Sequence, residues 1–137
     1  MTAVSLLRRA AAPKRALAGA AVAAATAGTL IAAAPAQAAT PASSAQATAK
    51  KLIGDPAEYG CFSKIVERES GWDVHATNAS SGAYGLVQAL PGSKMASAGA
   101  DWRTNPATQI TWGVDYMKDR YGGVCDAWSF WQANGWY

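Results

Sequence analysis

The sequence predicts a small, mainly helical α+β domain with one short β-hairpin and one disulfide, and three observations carry that expectation. Apolar residues recur at helical spacing behind start signals near Pro56 and Pro106. One cluster of Asn, Ser and Gly, from Asn78 to Gln88, has turn chemistry. Two cysteines, Cys61 and Cys125, lie beyond a leader of the export type, where pairing is the default.

Residues 1–38 read as a signal peptide. Arg8, Arg9, Lys14 and Arg15 precede an uncharged, Ala-rich run from Ala16 to Ala34, and Ala36-Gln37-Ala38 supplies a small-x-small cleavage site. Cleavage after Ala38 leaves no integral membrane segment and a secreted, extracellular or cell-wall-associated product. Residues 39–50, built from Ala, Thr, Ser, Pro and Gln up to Lys50 and with no aromatic side chain, read as a disordered linker. The folded domain is expected over 51–137.

Within that domain Asp55 is the expected N-cap and Pro56 the first residue of a helix carrying Tyr59, Phe62, Ile65, Val66 and Glu69, with Gly71 ending it. The stretch "NASSGAYGLVQ" (Asn78 to Gln88) is the expected hairpin followed by an extended piece. Pro91-Gly92 opens a short helix near Ser93 to Ala98. A longer helix runs from about Pro106 with Ile110, Val114 and Met117 on one side, and Gly122-Gly123 stops it. "CDAWSFWQANGWY" closes the chain as a short helix and an aromatic tail.

Charge and ligand supply narrow the functional classes. The leader holds four of the twelve Lys and Arg and none of the nine Asp and Glu, so the remaining chain carries eight basic against nine acidic residues. No basic patch is left to serve nucleic acid. Two distant cysteines and a single histidine, His75, do not fill a tetrahedral zinc shell without carboxylates, so no metal is expected. A bridge closing a loop of about 65 residues would restrict the unfolded chain by roughly 4 kcal/mol.

One residue breaks the helical pattern. At 100° per residue from Phe62, Ile65 falls at about 300°, Val66 at about 40° and Glu69 at about 340°, so a carboxylate sits within the apolar stripe. Such surroundings remove hydration and raise a carboxyl pKa, which lets the group hold a proton near neutral pH and deliver it to a leaving group. A buried Glu satisfied by backbone donors, or by Arg103 or Arg120, is the competing reading on the residues alone.

The order "ESGW", "SSGAYGLVQALPGS" (Ser80 to Ser93) and "NPATQITWGVDYMKDRYG" (Asn105 to Gly122) resembles the lysozyme-like soluble lytic transglycosylase family. It is most similar to a small secreted group with one Cys before the catalytic helix, one after the last long helix, and a Gly-Trp-Tyr ending; aggregation-promoting-factor-like domains share this pattern. The resemblance covers about residues 55–137 and implies a lysozyme-like fold with Glu69 as the single catalytic acid. It further implies a substrate strip containing Ser81, Gly82, Tyr84, Gly85 and Gln88, with Tyr116 on the next helix. The two glycines would let the backbone approach a glycan. Trp128, Trp131 and Trp136 are candidate sugar platforms, and Trp131 is taken as substrate-binding; most of the six Trp should be core.

The implied activity is cleavage of the β-1,4 bond between N-acetylmuramic acid and N-acetylglucosamine in peptidoglycan, leaving 1,6-anhydro ends. The implied partner is the peptidoglycan glycan strand, with no nucleic acid and no cofactor, and the protein is expected to be a monomer. Alternatives stand beside it: a non-catalytic peptidoglycan-binding or cell-surface aggregation module, a two-carboxylate muramidase with Asp73 or Asp101 as second acid, a related cell-wall glycosidase that resuscitates dormant cells, and a small secreted structural domain using Glu69 as a buried anchor.

Overall fold

The computed structural model describes residues 40–137; the leader expected over 1–38 lies outside the described residues. Four α-helices follow one another: α1 (Pro41–Ile53), α2 (Pro56–Glu69), α3 (Pro106–Tyr121) and α4 (Val124–Asn134), with a 3₁₀ helix at Gly92–Ser97. Among the described residues no helix is long and apolar enough to cross a membrane.

The linker expected over 39–50 is corrected by α1. Thr40 caps it, its hydroxyl accepting from the Ser43 amide at 3.0 Å, and Pro41 occupies the first turn. Ala45 and Ala49 are four residues apart and fully buried, so their face packs against α2 and α3. Composition suggested disorder because no side chain there is large. The small side chains are what let the helix approach its neighbours closely, and α1 belongs to the same folded unit as the helices that follow it.

The other helices begin and end where their sequence signals fall. Asp55 accepts from the amides of Ala57 (2.8 Å) and Glu58 (2.9 Å) to start α2, and Asn105 accepts from Ala107 (2.8 Å) to start α3. Gly122 closes α3 in the left-handed conformation, φ 95°. Phe62, Ile65 and Val66 of α2 meet Ile110 and Met117 of α3, Val124 and Ala127 of α4, and Leu86, Val87 and Met95 from the connecting segment in one core. Cys61 and Cys125 are bonded, Cα atoms 5.1 Å apart, joining α2 to α4.

The expected hairpin reduces to two isolated antiparallel bridges, Thr77 with Tyr84 and Tyr84 with Ala89. Gly82 (φ 84°), Gly85 (φ 83°) and Gln88 (φ 53°) adopt left-handed backbone within this stretch, so the extended run never becomes long enough for a ladder. Gln109 replaces the missing ladder. Fully buried on α3, it accepts from the Leu86 amide at 2.8 Å and donates to the carbonyls of Trp102 (2.8 Å) and Val74 (3.0 Å). Three loop segments are thereby fastened to one helix.

Candidate active site

Glu69 is the final residue of α2, and the turn that follows fixes its surroundings. The Ser70 hydroxyl lies 2.7 Å from the Leu86 carbonyl, tying the helix end to the loop, and Gly71 (φ 62°) reverses the chain. The carboxyl is half-buried. It opens on a cavity of about 130 Å³ lined by Val87, Gln88, Ala89 and Leu90 of the loop, Lys94 of the 3₁₀ helix, Trp112 and Tyr116 of α3, and Trp136 and Tyr137 of the tail. No second Asp or Glu side chain lines this cavity.

Burial raises the Glu69 pKa above the ordinary carboxylate value, and a hydrogen bond from Trp131 partly opposes it. That bond is short: the Trp131 indole N–H donates to Oε1 at 2.7 Å. Neither arginine weighed as a partner pairs with Glu69. Arg103 stacks on Trp102 at 4.4 Å and Arg120 on Tyr121 at 5.6 Å. Tyr137 donates its hydroxyl to the Val87 carbonyl at 2.7 Å, and burial followed by the nearby Glu69 charge holds that phenol well above the usual tyrosine range. Tyr116 is shifted the same way, chiefly by burial. Both rings present neutral hydroxyls, and Glu69 is the carboxyl in the cavity whose surroundings favour its protonated form.

The site residues expected from sequence divide into three sets. Gln88 and Tyr116 line the Glu69 cavity, and Trp131 touches Glu69 itself. Ser81, Gly82, Tyr84 and Gly85 do not line it. The Ser81 hydroxyl accepts from the Ala83 amide, and Gly82 serves its turn, with open space where a Cβ would stand. The Tyr84 hydroxyl donates to the Arg103 carbonyl at 2.7 Å and meets His75 Nδ1 at 3.1 Å, its ring edge-on to Trp102. A Cβ on Gly85 would stand 2.6 Å from Gln109 Oε1, so Gln109 occupies the room expected to admit a glycan. Gln88 spends its amide nitrogen on the carbonyls of Ala76 and Gly85, both at 3.0 Å.

Trp112, Lys94, Leu90 and Tyr137 line the site without having been read from the sequence. Trp112 had a usable signal, being four residues before Tyr116 on the same helix face; the two rings stack at 5.0 Å. Both also line an adjoining cavity of about 780 Å³ that contains Thr111, Asp115, Asp119 and Arg120. Trp72 and Trp102 are core, whereas Trp136 is 52% exposed at the mouth of the Glu69 cavity.

Asp73 and Asp101 are engaged elsewhere. Asp73 accepts from the His75 amide at 2.8 Å and lines a separate cavity with Thr40 and Trp72. Asp101 accepts from Asn105 Nδ2 and the Thr108 hydroxyl, both at 2.7 Å, and these bonds hold its carboxyl below the usual range. Among the described residues no group of three or more His, Cys, Asp or Glu is placed to hold a metal ion. A family model described as the transglycosylase SLT domain matches residues 45–134. No curated protein and no solved structure matches the chain.

Proposed function

The chain belongs to the transglycosylase SLT family, and on that premise we propose that it is a peptidoglycan lytic transglycosylase working with Glu69 as its one catalytic carboxyl. The observation that carries this reading is the cavity itself: one acidic side chain, half-buried and with a raised pKa, and no partner Asp or Glu on its walls. A two-carboxylate glycosidase needs a second acid roughly 5 to 9.5 Å away across the scissile bond, and Asp73 and Asp101 are committed to local backbone and side-chain bonds.

Protonated Glu69 gives its proton to the glycosidic oxygen as the bond to C1 of the muramoyl residue breaks, and positive charge spreads over C1 and the ring oxygen. The carboxylate so formed then takes the proton of the muramoyl C6 hydroxyl while that oxygen bonds to C1. The sugar leaves as a 1,6-anhydro end, and Glu69 is restored to its starting form with no water consumed. Gln88 and Tyr116 supply polar groups along the glycan, and Trp136 offers an exposed ring at the cavity mouth. The adjoining cavity beyond Trp112 and Tyr116 gives the strand room to continue. The protein acts as a secreted monomer on the cell wall, with the leader read over 1–38 directing export.

Digestion of purified peptidoglycan by the chain lacking its leader and by its Glu69→Gln variant, with products read by mass spectrometry, tests this. Anhydro-muropeptides are expected from the parent and none from the folded variant. Products with reducing ends would make the protein a hydrolase, and glycan binding without any product would make it a binding module.

A further inference from the structure

We propose that Trp131 is a positioning residue for Glu69: its indole N–H fixes Oε1 as a hydrogen-bond acceptor and so confines the acid proton to Oε2. This rests on the reading of Glu69 as the proton donor, and it gives Trp131 a different task from the sugar contact expected for it.

The indole N–H donates and cannot accept. At 2.7 Å from Trp131 Nε1, Oε1 has no room to carry a proton of its own toward that N–H. The carboxylic acid therefore holds its proton on the other oxygen, and rotation that would exchange the two oxygens breaks the bond. Once the proton has left, the same N–H meets a carboxylate, where such a bond is stronger. A single group thus orients the acid before transfer and stabilises its conjugate base afterwards.

The indole is itself held. Its ring stacks on Trp128 at 5.7 Å and 21°, and the Arg68 guanidinium lies over both rings, 5.5 Å from the centre of Trp131 and 4.8 Å from that of Trp128. The π surface that a sugar would need is engaged by these two neighbours, while the polar edge points at Glu69. Arg68 stands one residue before Glu69 on α2, so the clamp ties the donor on α4 back to the helix carrying the acid.

The test is a pH profile of peptidoglycan cleavage by Trp131→Phe, together with carbon-13 NMR titration of the Glu69 carboxyl, assigned with Glu69→Gln. Other titratable groups lining the Glu69 cavity are Lys94 of the 3₁₀ helix, Tyr116 of α3 and Tyr137 of the tail, and Arg68 of its own helix lies over the Trp131 ring. All four are common to parent and variant. Removing the donor removes the one contribution that lowers the Glu69 pKa, so the carboxyl should titrate at higher pH and the limb of activity governed by it should move upward. kcat should fall by about tenfold to a hundredfold through lost orientation, with KM little changed. Should Trp131→Phe fail to fold, benzothienylalanine at position 131 keeps the ring shape without the N–H and is expected to give the same shifts.

An unmoved Glu69 titration in a folded variant overturns the proposal. So does a raised KM with unchanged kcat and profile, which would return Trp131 to a sugar-binding role. If the parent cleaves no glycan, the catalytic reading of Glu69 fails on its own, whereas the NMR titration still decides whether Trp131 governs that carboxyl.

Discussion

Glu69 links protonation to folding, and the sign of that linkage follows from its surroundings. In the unfolded chain the carboxyl titrates near the ordinary value of 4.5, whereas burial raises it in the folded protein. Between those two pH values the folded state binds more protons, so stability falls as pH rises from about 4.5 and levels off above the folded pKa. Glu69→Gln removes the ionisable group and keeps an oxygen to accept from Trp131. Its melting temperature should exceed that of the parent at neutral pH, with the gap closing as pH falls to 4.5, as scanning calorimetry at several pH values would measure. A gap of constant size would mean that the gain has nothing to do with ionisation. Glu69 was legible in the sequence because its oddity is local, one acid within a periodic stripe. Gln109 was not, since the three backbone groups it satisfies belong to Val74, Leu86 and Trp102, residues that no short-range pattern connects to it.

At the scale of elements, α3 packs against the site loop at Gly113 with no room for a side chain. A Cβ there would stand 2.6 Å from Val87 Cγ1 and 3.5 Å from Phe62 Cε2. In an exposed helix Gly→Ala is stabilising by about 1 kcal/mol. Here overpacking costs about 1–3 kcal/mol, and a buried helix position with a contact this short leaves the clash as the larger effect. Gly113→Ala should therefore lose about 1 kcal/mol in urea unfolding, and the double variant with Val87→Ala should lose less than the sum of the two single losses. Additive losses in the double variant would show that the two positions do not touch. Helices α2 and α3 could be placed from sequence because Asp55-Pro56 and Asn105-Pro106 are strong start signals with glycines at the far ends. Helix α1 carries signals of the same kind, Thr40-Pro41 at its start and Gly54 at its end, but its packing face consists of two alanines, and that composition reads as disorder. The loop from Thr77 to Ala89 departed from a hairpin for a backbone reason: Gln88 with positive φ is not a residue that announces left-handed geometry.

At the scale of the whole molecule, the main covalent constraint beyond the chain itself is the bridge between α2 and α4, spanning 64 residues. Replacing both cysteines by Ala should cost about 4 kcal/mol on the loop-entropy account, read as a lowered guanidinium midpoint. A midpoint shift well below that, with an unchanged slope, would mean that the unfolded chain is already restricted by other means. The same bridge has a chemical consequence. It fastens the helix that ends in Glu69 to the helix that presents Trp131, so sulfur oxidation state governs how firmly the acid and its donor are brought together. A chain with free thiols would own every residue of the site and hold them loosely. Forming one covalent bond would then arm the protein, and it would do so only where thiols are oxidised.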